Sequence, residues 1–234
     1  MLVNFMMKKK YIFIGLFAFF LLFIIFSYLV IINRRVQEDR LLNDIEKFAK
    51  QDIFNDMTFS SSTVSFKYKE VEEVIEDYIN DFYKQYQKVM SYADDQRLTT
   101  LLSVTNYLAD GKEFNSSLEY VEEVRARFQK DIDKLFQFCT KEGLVLFSKD
   151  TSLSDYYQDV FVSSVLDSSL FIKLKNYKVS FLESENQMNK IFNTVTRTLG
   201  FLKTNANNWK IENNEIQFST EDLVNQYNSL VADI

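Results

Sequence analysis

The chain of 234 residues has no proline, no histidine, one cysteine and four glycines. Each shortage closes off a class of protein. Without proline, and with Gly15, Gly111, Gly143 and Gly200 far apart, the chain has few breakers for the frequent turns of an all-β fold, so long helices are favoured. Isolated glycines also leave no glycine-rich loop to cradle a phosphate. The lack of histidine removes the usual base for nucleophilic catalysis. Zinc would be left with carboxylates and at most one thiolate, a weak donor set for that ion. Cys139 alone forms no intrachain disulfide. It falls on the apolar stripe of an expected helix and reads as a small buried hydrophobe rather than a reactive thiol.

Positive charge is scarce where nucleic acid would need it. All 33 acids lie beyond residue 35, against 22 of the 27 basic residues, so residues 36–234 carry a net charge of −11. Such a surface repels phosphate, and no basic stripe offsets it, so no nucleic-acid partner is expected.

What the chain does have is "YIFIGLFAFFLLFIIFSYLVII", Tyr11 to Ile32, without one charge. Twenty-two residues at about 1.5 Å each give a helix of roughly 33 Å, enough for a hydrocarbon core of about 30 Å. A cleaved signal has a shorter apolar run that ends in small residues. Here bulky Tyr28, Leu29, Val30 and Ile31 occupy that place, so the span is expected to stay. Lys8, Lys9 and Lys10 precede it, while Arg34, Arg35 and Arg40 follow. This modest bias places the N-terminus in the cytoplasm, whether translation begins at Met1 or at Met7. Residues 1–10 are read as a short basic cytoplasmic tail, 11–32 as a transmembrane signal-anchor helix in the lipid bilayer, 33–55 as a helical stalk, and 56–234 as a helical bundle domain. Localisation follows: cell membrane, single-pass, with the C-terminal domain extracytoplasmic.

The fold class expected beyond the span is mainly all-α. Val71, Val74, Ile75, Tyr78, Ile79, Phe82, Tyr86, Val89 and Met90 recur at three- and four-residue steps, predicting a long helix. "DDQRLTTLLSVTNYL" predicts a shorter one opened by Asp94 or Asp95. Ser116 and Glu119 have the spacing of a capping box, ahead of a stripe from Leu118 through Val121, Val124, Phe128, Ile132 and Leu135 to Cys139, closed by Gly143 as a left-handed cap. Two further helices follow, with a break near Lys175–Ser180. The pattern then alternates in "WKIENNEIQF", where Asn213-Asn214 suits the two positive-φ positions of a tight turn; one small β-hairpin is expected at about 209–218. A last amphipathic helix carries Leu223, Val224, Tyr227, Leu230 and Val231 on one face.

The polar clusters offer little chemistry. Glu70, Glu72, Glu73, Glu76 and Asp77 read as a solvated, dipole-matched helix start rather than a cation site, because no interleaved calcium-binding loop accompanies them. Asp94-Asp95, Asp131 and Asp133 read as cap and surface. No catalytic, cofactor-binding or metal-ligating residue is assigned, and no cofactor is expected.

The plan of a basic head, one span, an exported helical region and the tail "NWKIENNEIQFSTEDLVNQYNSLV" resembles that of small single-pass, membrane-anchored helical proteins of low-GC Gram-positive bacteria. The pointed element is W-K-I-x-x-x-x-I-x-F followed by L and Y-N-x-L. The resemblance implies an anchored surface module and carries over no activity. The expectation is therefore a non-enzymatic, membrane-anchored helical module that binds a protein partner, an envelope component or a copy of itself. Two alternatives stand beside it. One is an extracytoplasmic sensor, which would need a second membrane subunit for its output. The other is a carboxylate-based envelope enzyme, which would need buried acids converging on a concave pocket.

Overall fold

An unbroken apolar run with no proline favours one continuous helix, and α1 extends over Leu2–Ala49 in a computed structural model of the chain. The structure describes residues 2–51, 59–63 and 65–232, with side chains from residue 19 onward. The basic tail 1–10 and the first part of the expected span thus lie outside the described side chains, as do residues 52–55 of the expected stalk.

The character of α1 changes along its length. From Phe19 to Ile32 its large apolar side chains are exposed. From Gln37 the helix joins a core: Gln37, Leu41, Asp44, Ile45, Phe48 and Ala49 are buried. Their spacing of three and four residues makes one stripe along the helix. Within the segment expected as a stalk, this stripe is core.

The remaining elements are α2 (Phe66–Met90), α3 (Gln96–Thr100), α4 (Val104–Asp110), α5 (Asn115–Gln137), α6 (Lys141–Lys149), α7 (Asp155–Leu166), α8 (Ser169–Thr204), β1 (Trp209–Glu212), β2 (Glu215–Phe218) and α9 (Glu221–Val231). The protein is mainly all-α, with nine helices and one small hairpin among the described residues. The chain divides into two compact units. Unit 1 comprises Met1–Asp77 and Ser148–Leu170, and unit 2 comprises Tyr78–Phe147 and Phe171–Ile234. In unit 1, α1 packs on α7, and Leu41, Ile45, Tyr68, Val71, Phe161 and Val165 are buried. In unit 2 the core is rich in rings: Phe128 meets Phe192 edge-on at 5.8 Å, and Tyr78 meets Phe138 at 5.3 Å.

The hairpin forms as its sequence dictates. β1 and β2 pair antiparallel, with Trp209 opposite Phe218 and Ile211 opposite Ile216. Asn213 and Asn214 take φ of 54° and 63°, the left-handed pair that a two-residue turn requires. Thr220 then caps α9, its hydroxyl accepting from the Leu223 N–H.

Several boundaries differ from the periodicity. The "DDQRLTTLLSVTNYL" stretch forms two helices, because Asp95 caps α3 and Ser103 caps α4 with side-chain acceptors of their own. α5 does not use the Ser116–Glu119 box. The Asp110 carboxylate, at the end of α4, accepts from the N–H groups of Ser116 at 3.2 Å and Ser117 at 2.8 Å. Gly143 is not a left-handed cap. It sits inside α6, where an added Cβ would come within 1.9 Å of the Gln137 carbonyl oxygen. The break between the two later helices lies at Asp167–Ser168 instead of 175–180. There the Ser168 hydroxyl turns back to the Val165 carbonyl at 2.6 Å, and Glu46 accepts from both the N–H and the hydroxyl of Ser169, starting α8.

Candidate functional site

The acids were read from sequence as surface, and the structure corrects this at two of them. Glu72 is buried, and one of its carboxylate oxygens accepts from the Ser61 hydroxyl at 2.5 Å. Its neighbours Glu73, Glu76 and Asp77 are exposed, and Glu70 pairs with Lys67. Asp44, which the sequence did not single out, is buried beside the same loop. It accepts from the N–H and hydroxyl of Ser62 and pairs with Lys47 at 3.1 Å. The loop's two serines thus clamp two helices through two carboxylates.

Asp131 is the second correction. It is buried in unit 2 and gathers donors from α2 and the turn beyond it: Lys88 at 2.8 Å, the Tyr92 hydroxyl at 2.7 Å and, more weakly, the Gln85 amide at 3.5 Å. Gln85 also donates to the Asp131 carbonyl at 2.7 Å. Burial opposes ionisation, but the bonds from Lys88, Tyr92 and Gln85 outweigh it and hold the carboxyl below its usual range. Asp133 faces solvent and accepts from Gln129. Asp95 is the helix cap expected of it. It also accepts from the Tyr120 hydroxyl at 2.6 Å; burial again opposes ionisation and the hydrogen bonds prevail.

A sequence signal for these buried acids existed. Asp131 falls in the series 121, 124, 128, 131, 135, Glu72 in 68, 72, 75, 79, and Asp44 in 37, 41, 44, 48. Each is an alternation of three- and four-residue steps whose other members are buried. An acid on such a seam must find donors, because a buried carboxylate without them is costly.

Cys139 is buried as expected. Burial pushes its thiol up to about 12, so little thiolate exists at neutral pH.

Grooves open on each unit. In unit 1, a groove of about 450 Å³ runs between α1 and α7, with Glu38, Asp39, Asp159 and Asp167 in its walls. Among the described residues, no three His, Cys, Asp or Glu side chains gather as a metal ion would need. In unit 2, a groove of about 800 Å³ lies between α8 and α9. Arg197, Asn205, Asn225 and Gln226 supply donors and acceptors around apolar Phe201 and Leu230. α9 has no fully buried residue, and its wall of this groove is made by Asn225, Gln226, Ser229 and Leu230. A mixture of apolar floor and a few polar groups is what binding clefts present.

No protein-family model matches the chain, and no match was found among curated proteins or solved structures. The function therefore rests on the geometry. Among the described residues, one helix is long and apolar enough to cross a membrane; the candidate covers Phe19–Ala49, and its most apolar stretch has a mean hydropathy of 1.9.

Proposed function

We propose that this chain is a single-pass, membrane-anchored helical module whose folded units lie outside the cytoplasm and act by binding, not by catalysis. One observation carries the reading. α1 leaves every large apolar side chain from Phe19 to Ile32 exposed, yet the same helix is core from Gln37 onward. A soluble helix of this composition would be covered on at least one face, whereas a lipid-facing helix is apolar all round. Ser27, the polar residue in this stretch, turns its hydroxyl back to the Phe23 carbonyl at 2.8 Å, which suits a lipid surround. Lys8–Lys10 ahead of the span support the N-terminus-inside orientation. The resemblance to anchored surface modules agrees with it.

Binding of a protein partner is assigned to the α8–α9 groove of unit 2, whose lining sets Phe201 and Leu230 among Arg197, Asn205, Asn225 and Gln226. The test has two parts. A C-terminal phosphatase fusion should be active and a C-terminal fluorescent protein dark; the reverse pattern, or a mature chain starting between residues 28 and 40, sinks the anchored module. Full-length protein pulled from its native membrane should bring down a stoichiometric partner that Asn225→Arg, which fills the groove, releases. A partner retained by that variant would remove the groove from the proposal.

A further inference from the structure

The end of unit 1 nearest the span is aromatic. The Tyr68 hydroxyl donates to the Arg34 carbonyl at 3.4 Å and to Glu38 Oε1 at 3.2 Å. The Tyr156 hydroxyl donates to the same carboxylate oxygen at 2.7 Å, and the Arg34 guanidinium lies over the Tyr156 ring at 4.7 Å from its centre. These bonds fix both rings level with residues 34–38. Arg34 is only two residues beyond Ile32, about 3 Å along the helix.

The helices that carry these rings run the same way as α1. Tyr68, near the start of α2, meets residues 34 and 38. Glu72, one turn later, meets Ser61, whose neighbour Ser62 is held by Asp44. In the same sense Tyr156, at the start of α7, meets Glu38, and Ser169, just past its end, meets Glu46. Both helices therefore begin at the span and lead away from it. The first residue of α2, Phe66, lies about 3 Å back from Tyr68, level with the last apolar residues of the span. It is 74% exposed, more than any other large apolar side chain described, those of the span included.

We infer that this end of unit 1 is seated on the bilayer, with Phe66 entering the boundary between headgroups and acyl chains and Tyr156 beside it at headgroup level. The inference rests on the reading that residues 11–32 cross the membrane. A Phe66 ring that would be an isolated apolar exposure in water enters the headgroup–acyl boundary as the apolar side chains of interfacial helices do. The amphipathic Tyr156 suits the belt that tyrosines form at membrane faces. Arg34 and Arg35 lie at the same level, within reach of lipid phosphate. Lys67 is already paired with Glu70 at 2.8 Å, so the seat depends on the rings and not on a basic patch. Anionic lipid is accordingly not required. The consequence is that unit 1 stands on the membrane through three elements, α1, α2 and α7, instead of swinging from one.

The test uses full-length protein in phosphatidylcholine nanodiscs, with Cys139→Ala and a single nitroxide-labelled cysteine at Phe66, Ile25 or Glu76. Collisional relaxation by oxygen, which concentrates in lipid, is compared with relaxation by a water-soluble nickel chelate. Position 25 should respond to oxygen and position 76 to nickel. Position 66 should lose nickel accessibility several-fold relative to 76 and report a depth at the headgroup–acyl boundary. If position 66 matches 76 while 25 remains in lipid, the seat is wrong and the span stands. If position 25 itself responds to nickel, the span fails and the seat fails with it.

Discussion

Asp131 shows how much one side chain carries in a fold with so little catalytic chemistry. Its carboxylate satisfies Lys88 and Tyr92 while its carbonyl takes the Gln85 amide. Removing the carboxylate leaves the part-buried Tyr92 hydroxyl without this acceptor and unpairs Lys88, while the carbonyl that holds Gln85 remains. Asp131→Ala should cost about 2–3 kcal/mol, read as a lower melting temperature of the folded units. The pH dependence has a definite sign. The folded-state carboxyl titrates below its usual value, so its contribution is complete above the unfolded pKa of about 3.9 and is lost as pH falls through the folded value. The gap in melting temperature between the native chain and Asp131→Asn should therefore be wide at about pH 6 and close as the pH falls below about 4. A gap that stays constant over this range would show that the ionised carboxylate is not what stabilises the site. Gly143 makes a steric claim of the same size. Its missing Cβ lets α6 start against the Gln137 carbonyl, which is backbone and cannot swing aside. Gly143→Ala should displace α6 and cost roughly 2–3 kcal/mol in a denaturant melt. A neutral result would mean that the turn between α5 and α6 relaxes freely.

Among the elements, the ones with strong local chemistry were legible in the sequence. The hairpin is the best case: alternation set its strands, and two asparagines at positive φ set its turn and register. α2 and α5 followed from their stripes. What was not legible depends on partners far along the chain. The start of α5 relies on Asp110 from the previous helix, and the start of α8 relies on Glu46, 123 residues earlier. No window of local sequence contains either pair. α6 escaped notice because "KEG" reads as a helix stop, while Thr140 in fact accepts from the Gly143 N–H and opens a new turn. The site fared unevenly. Asp95 was legible as a cap, whereas the burial of Glu72 and Asp131 was visible only as acids placed on an apolar seam. Trp209 ties the hairpin to its unit. It is 5% exposed, donates from Nε1 to the Leu202 carbonyl at 2.7 Å, and stacks on Phe114 at 6.1 Å. Trp209→Ala should thus cost about 3–5 kcal/mol, and the native chain's single tryptophan should emit at short wavelength and resist quenching. Red-shifted, quencher-accessible emission with an unchanged melt would instead mark it as an exposed anchor for a partner.

For the molecule as a whole, the decisive question is where the anchor ends and the folded part begins. The apolar run suggests a boundary at Ile32, with the helix continuing beyond it as a stalk. In that continuation Leu41 and Ile45 are completely buried and Phe48 nearly so. Asp44 clamps the Ser62 loop, and Glu46 caps α8. Unit 1 thus uses the last three turns of α1 as one of its core helices. Two truncations separate the possibilities. A fragment of residues 36–234 keeps the whole buried stripe and loses only the span and the Arg34 contacts, so it should be soluble, helix-dominated in far-UV circular dichroism and cooperative on melting. A fragment of residues 50–234 removes three large core side chains, each worth about 2–3 kcal/mol of burial, together with two helix-fixing carboxylates. That loss is comparable to the entire margin of about 5–15 kcal/mol by which domains are stable, so the shorter fragment should lose helix well beyond the 14 residues deleted and bind hydrophobic dye. Should it instead keep the melt of the longer fragment, α1 beyond residue 36 is a stalk after all, and the continuity between membrane helix and core helix has no structural role.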